Sequence, residues 1–287
     1  MKILCYGYGL HHKNLNALQN YKSIEFHITS NFEDILTADL SRYDFIYSPS
    51  KPLNVTCYPN LKFIFGPHFS TFPKDEVLFI NKSNSIYIQP SDWSASIWRN
   101  CSVCENLKIH SLPFGVDTDV FNQLVNINLR KKVFVYFKNR DPLELQLLEY
   151  LLSTFSIEYV VFDYRNRYNE TDYLDYLHQS KFGIWLGCHE SQGFALQEAL
   201  SCNVPLFVWS VKSMNQEYGC NYSDIHATTI PYWNQMCGEA IYDIKHFLIK
   251  FSDFLSKIET YEPRQFILDN LSMNRCEQLF IDMCNQF

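Results

Sequence analysis

Apolar residues fall along this 287-residue chain in short blocks that alternate between two rhythms. Compact runs rich in β-branched and aromatic side chains read as strands, and the stretches between them carry apolar positions three or four apart, as helices do. In the first half, strands are predicted at Lys2–Tyr6, Ile24–Thr29, Phe45–Tyr47, Leu61–Phe65 and Ile86–Ile88. Helices are predicted over His12–Asn20, Phe32–Leu40 and Asp92–Asn100. Leu107–Leu112 closes this half, and Pro113-Phe114-Gly115 reads as a linker. The alternation then restarts, with strands at Val133–Phe137, Ile157–Asp163 and Phe182–Leu186 and helices over Pro142–Thr154 and Thr171–Gln179. Two helical patterns, near Glu239–Ile258 and Arg264–Cys284, end the chain. This order predicts an α/β protein of two parallel-sheet domains, residues 1–113 and 114–287, with a last helix long enough to cross back onto the first domain.

The densest chemistry lies in Glu190-Ser191-Gln192-Gly193-Phe194-Ala195-Leu196-Gln197-Glu198, which precedes a strand over Val204–Trp209. Two carboxylates, Glu190 and Glu198, stand with seven residues between them, on either side of a glycine that opens a predicted helix. A helix N-terminus presents backbone N–H groups and partial positive charge, which suits a diphosphate. Ser191, Gln192, Gly193 and Phe194 would line that mouth. Glu190, in the loop, could orient sugar hydroxyls, and Glu198, about two turns on, could accept from a ribose. Phe194, Ala195, Leu196, Ala199 and Leu200 make the helix apolar on nearly every side, so it should be buried, and a buried glutamate needs a partner.

This segment, E-S-Q-G-F-A-L-Q-E-A-L-S-C-N-V-P, resembles the E-x7-E signature of retaining glycosyltransferases with the GT-B fold. Asn203 stands where that family usually has glycine; asparagine is the next best residue for a left-handed turn. Ser111-Leu112-Pro113-Phe114-Gly115-Val116-Asp117 through Phe121 resembles the family's interdomain crossing, and Gln89-Pro90-Ser91-Asp92-Trp93 a motif that opens a helix late in the N-terminal domain. The resemblance covers the middle and later parts of the chain. It implies two Rossmann-like domains facing an interdomain cleft, an acceptor-side domain first and a nucleotide-sugar domain second. It also implies sugar transfer from a nucleotide-diphosphate donor to a glycan, lipid-linked or protein-linked acceptor, with retention of anomeric configuration. At the end of the first strand of the second domain the family carries a basic pair on the donor diphosphate; Lys138 and Arg140 occupy that place. A diphosphate held by two cations needs neither a metal nor any other cofactor.

Gly7-Tyr8-Gly9 follows the first strand, but His12 replaces the third glycine of a dinucleotide fingerprint, and no acid follows the second strand at the right place. That argues against a hydride-transferring dehydrogenase and leaves Gly7 and Gly9 as a place where backbone can approach a ligand. His68, at the carboxyl end of a predicted strand, is a candidate to bond donor or acceptor; His11, His12 and His189 are weaker ones. Asp117-Thr118-Asp119 is not read as a metal site, because it lies in the crossing segment.

Composition narrows the field further. A net charge of −7, with Leu129-Arg130-Lys131-Lys132 as the only basic cluster, argues against nucleic acid, and that cluster reads as a solvated strand edge. No stretch is apolar for long enough to span a bilayer, and the N-terminal apolar run stops at Gly7, too short for a signal peptide. The ten cysteines then suit free thiols in a cytoplasmic protein, with Cys101-Ser102-Val103-Cys104 lacking the second pair of a zinc site. The N-x-S/T triplets at Asn54, Asn81 and Asn169 read as chance in an asparagine-rich chain. Two other readings stay open: a non-catalytic subunit binding nucleotide sugar or glycan, and a nucleotide-sugar epimerase of the same fold.

Overall fold

The computed structural model describes residues 1–51, 53, 58–68, 72–73, 84–166 and 168–287; Asn54, Phe69 and Asn81 lie outside the described residues. The chain forms two compact units. The first is Met1–Gly115 together with Leu271–Phe287, and the second is Val116–Asn270.

In the first unit, strands β1 (Lys2–Tyr6), β2 (Glu25–Thr29), β3 (Phe45–Ser48), β4 (Phe63–Phe65), β5 (Ser85–Gln89) and β6 (Lys108–Ser111) make one parallel sheet in the order β2-β1-β3-β4-β5-β6. Helices α1 (His12–Asn20), α2 (Phe32–Thr37) and α3 (Asp92–Arg99) fill the crossovers. Strands β3, β4 and β5 are buried at every position, as parallel strands covered on both faces must be. Tyr6, Phe63, Phe65, Tyr87 and Trp98 share one core on this sheet, with the Tyr87 and Trp98 rings stacked 3.9 Å apart.

The second unit contains β7 (Lys132–Lys138), β8 (Val160–Asp163), β9 (Ser180–Gly187), β10 (Leu206–Trp209) and β11 (Gly238–Ile241), parallel throughout and ordered β11-β10-β9-β7-β8. Its helices are α4 (Pro142–Ser153), α5 (Glu170–Gln179), α6 (Phe194–Ser201), α7 (Phe247–Lys257) and α8 (Pro263–Asn270). The alternation of β7 is visible in what each side chain meets. Val133, Val135 and Phe137 join the core with Phe251 and Phe254 of α7, while Tyr136 stacks on Trp185 at 3.9 Å and Phe134 meets Tyr173. Helix α9 (Met273–Asn285) returns to the first unit, where its buried Glu277 accepts a hydrogen bond from the Ser23 amide at 2.5 Å.

Three expectations are corrected. The pattern over Glu239–Ile258 is not one helix, because Gly238–Ile241 pairs with β10 as a strand and the helix begins at Phe247. Gly238 permits this at φ 132°, where an added Cβ would stand 2.0 Å from the Leu206 carbonyl oxygen. The pattern over Arg264–Cys284 breaks at Leu271, and Ser272 caps α9 by accepting from the Arg275 amide. Arg130 is no solvated edge residue. It is 3% exposed, and it donates to the carbonyls of Val125, Ser180 and Cys202.

Other local features follow the residue types. Asn203 turns left-handed at φ 58°, and its side chain accepts from the Arg264 amide. Asn169 caps α5 through the Thr171 amide, so that triplet has a structural use. Asp117 accepts from the amides of Asp119 and Val120. Cys104 lies in the core of the first unit. Among the described residues, no helix is long and apolar enough to cross a membrane.

Candidate functional site

In a doubly wound sheet, the crevice for a ligand opens where the strand order reverses, beyond the carboxyl ends of the two central strands. In the second unit the first strand, β7, sits between β8 and β9, so that point lies at Lys138 and just past Gly187. The two strands carry an ion pair to it. Lys138 Nζ meets Glu190 Oε1 at 2.7 Å, with side chains 18% and 13% exposed. Backbone fixes both partners: the Cys188 amide donates to the Lys138 carbonyl, and the Glu190 amide to the Thr228 carbonyl. Tyr164, in the one-turn helix that follows β8, puts its ring 4.6 Å from the Lys138 ammonium. Burial works against the charge on Lys138, but the adjoining Glu190 carboxylate outweighs it and holds the amine protonated well above its ordinary range.

Past Glu190, exposed Ser191 leads to buried Gln192 and then to Gly193 at φ 83°, the cap of α6. Left-handed backbone at that cap requires glycine or nearly so, and an added Cβ would lie 3.4 Å from Glu190 Cβ. The cap residue itself brings no side chain to the positive end of the helix. Gln192 and Gln197 bind each other: Gln197 Nε2 donates to the Gln192 carbonyl at 2.7 Å, and Gln192 Nε2 to Gln197 Oε1 at 3.3 Å. Phe194 is half-buried at the first helical position.

Glu198 is 3% exposed. Its charge reaches Tyr168, whose hydroxyl is pushed up to about 12, first by burial, while Lys138 acts on the same group in the opposite sense. The Tyr168 hydroxyl lies 3.3 Å from that of Tyr136, which burial raises and to which Glu190 adds. Both glutamates and Lys138 therefore act on one tyrosine pair.

Arg140 is placed differently from what its chemistry suggested. Its side chain has no exposure. Nε and Nη2 donate to the two Glu144 oxygens at 2.7 Å each, and Nη1 donates to the carbonyls of Gly187 and Trp209 at 3.1 and 3.0 Å. The guanidinium ties the ends of β9 and β10 to the start of α4 instead of facing a ligand.

In the first unit the equivalent reversal lies at β1 and β3. Gly7 donates its amide to Thr29, Gly9 turns at φ 76°, and Ser50 donates to the Tyr8 carbonyl. His68 follows β4, and its amide donates to the Pro49 carbonyl. Its Nε2 lies 2.8 Å from Nδ2 of buried Asn14 on α1. Burial, with His11 secondarily, lowers the His68 imidazole to about 4, so the ring is neutral at physiological pH. His11 caps α1 by accepting from the Lys13 amide, and its ring lies 4.4 Å from that of His12.

Motif reading missed Tyr164, Tyr168, Asn139 and Glu217. Asn139, at φ 50°, donates through Nδ2 to Glu217 Oε1 at 2.9 Å, and Glu217 Oε2 lies 3.5 Å from His189 Nε2. Only the run of aromatic residues after β8 could have drawn attention to the tyrosines.

No family model matches this sequence, and no curated protein matches it. Solved structures do. Sucrose-phosphate synthase from Thermosynechococcus elongatus is 10% identical, over 85% of this chain and 74% of that chain, with a TM-score of 0.52. The catalytic domain of starch synthase IV from Arabidopsis thaliana, solved with ADP and acarbose, is 11% identical over 85% and 73%, with a TM-score of 0.55. The lipopolysaccharide outer core galactosyltransferase WaaB is 13% identical over the full length of both chains, with a TM-score of 0.52. The fold is GT-B. At these identities the likeness speaks for the architecture: two parallel-sheet α/β units of six and five strands.

Proposed function

We propose that this chain moves a sugar from a nucleoside-diphosphate donor to an acceptor hydroxyl, with retention at the anomeric carbon and with no metal on the diphosphate. The observation that carries this reading is the 2.7 Å pair of Lys138 and Glu190 at the sheet reversal, directly before the positive end of α6. The names of the similar structures, two synthases of sugar products and a galactosyltransferase, favour it as well.

On this reading Lys138 neutralises the departing diphosphate, and the N-terminus of α6 adds its dipole where charge develops. Glu190, already oriented by Lys138, accepts hydrogen bonds from hydroxyls of the donor sugar. Glu198 accepts from the ribose. The leaving phosphate oxygen takes the acceptor proton on the face it vacates, so the new bond forms on the side of the old one. Arg140 is given no place on the diphosphate, because its side chain is fully buried and four of its five N–H donors are engaged; it holds the strand ends that present Lys138 and Glu190. The glycines of the first unit and neutral His68 serve hydroxyl-bearing parts of the substrates.

The test is incubation with UDP-, ADP- and GDP-linked sugars in EDTA, following release of free nucleoside diphosphate. Slow hydrolysis of one donor is expected, and acceleration by the right acceptor. Nucleoside diphosphates that bind while every donor survives intact would contradict transfer and favour a binding subunit.

A further inference from the structure

We propose that Cys188, His189 and Glu217 form a binding site for a borderline-soft divalent cation of the zinc type, beside the sugar-transfer machinery but separate from it. The Cys188 sulfur, an imidazole nitrogen of His189 and a carboxylate oxygen of Glu217 lie within 4.8 Å of one another, and the group is buried or half-buried. It is the one such cluster among the described residues. Tetrahedral zinc, with bonds of about 2.0–2.3 Å, sets its donors roughly 3.4–3.6 Å apart, so closing the site takes shifts on the order of 1 Å. The His189–Glu217 separation of 3.5 Å already meets that spacing.

The surroundings are those of an oriented ligand set. Glu217 is held by the Asn139 amide through its other oxygen, as metal-binding carboxylates are held by an outer partner. Asn139 is in turn fixed, its carbonyl accepting from the Tyr218 amide. The turn before Glu217 is locked by a reciprocal cap between Ser213 and Gln216. Tyr222 packs edge-on against the His189 ring at 5.8 Å. Sulfur, nitrogen and oxygen together select zinc over magnesium or calcium, which take oxygen alone.

Burial, with Glu190 adding to it, raises the Cys188 thiol to about 12, so it is a poor nucleophile on its own. Binding replaces the S–H proton by the metal: Cys–SH and Zn²⁺ give a zinc thiolate and one proton released to solvent. Three protein ligands leave the fourth position to water. Cys188 and His189 immediately precede Glu190, so occupancy pins the start of the loop that carries this acid. The site stands on its own geometry and does not depend on the transfer reading.

Cobalt tests it with no sugar donor present. The purified full chain, stripped with EDTA, is titrated with Co²⁺ and then with Zn²⁺ in competition. One equivalent should produce a sulfur-to-cobalt charge-transfer band that zinc abolishes. Cys188→Ser should remove the band, and Glu217→Gln should weaken binding by about 10- to 100-fold. Asn139→Gly, which keeps the left-handed turn, should weaken it similarly while leaving the far-ultraviolet spectrum unchanged. A band that survives Cys188→Ser, or affinity indifferent to both Glu217→Gln and Asn139→Gly, overturns the proposal.

Discussion

The two sheets reverse strand order at the same place, with the first strand between the second and third, yet they put different chemistry there. In the first unit the reversal holds Gly7 and Gly9, and nearby stands His68, kept neutral against Asn14. In the second it holds the ion pair of Lys138 and Glu190, with the Tyr164 ring against the cation. One topology thus makes two locations, and the side chains decide what each can bind. Neutral donors and acceptors suit hydroxyls, whereas a half-buried ammonium before a helix N-terminus suits a dianion. On the proposed function, the charged half of a nucleotide sugar would go to the second unit.

The largest expected effect separates the two cations of that unit. Arg140→Ala strands the Glu144 carboxylate and two strand-end carbonyls, and should cost about 3–5 kcal/mol of unfolding free energy by denaturant titration followed on tryptophan fluorescence. A loss below about 1 kcal/mol, the worth of an exposed pair, would show that this guanidinium is not buried in its network. Lys138→Ala leaves Glu190 without its ion-pair partner and so costs some stability too, but in the folded protein it should lower turnover about 100- to 1,000-fold, the usual consequence of removing one group aimed at developing charge. Turnover within a few-fold of the parent chain would remove Lys138 from the reaction and erase the contrast between the sheets.

His68 gives a smaller and pH-dependent effect. Its folded value near 4 lies below the ordinary 6.5, so between them the unfolded chain binds a proton that the folded chain does not. The stabilisation is complete above about pH 6.5 and is lost as pH falls toward 4. Thermal melts should show a loss of up to about 2 kcal/mol between pH 7 and pH 5 from this group. His68→Gln should flatten that dependence, and an unaltered pH profile would mean that the ring is solvated and not held neutral against Asn14.

Much of this arrangement is legible in the residues. The strand rhythm gave both sheets up to β10, and an acid past β9 was bound to come near the end of β7 once those strands paired. Asn203 announced its left-handed turn by type. The role of Arg140 was not legible, since Asn139 turns the backbone left-handed and the next side chain is redirected onto the carbonyls of Gly187 and Trp209. Arg130 escaped for a similar reason: two of the three carbonyls that receive it come from β9 and the end of α6, far away in sequence. Strand β11 is four residues long with half-buried polar Glu239, too short to show a period of two. Cys188, His189 and Glu217 converge only because the loop after β10 folds back to Asn139, which no local spacing reveals.

The central claim is that the two glutamates divide the donor between them. Isothermal titration of Glu198→Ala and Glu190→Ala with free nucleoside diphosphate, alongside turnover of both, measures that division directly. Glu198→Ala should bind about tenfold more weakly or worse, as expected for losing a charged hydrogen-bond acceptor. Glu190→Ala should bind nearly as tightly as the parent chain yet turn over far more slowly. Unchanged affinity in both variants, or equal losses in both, would contradict the assignment.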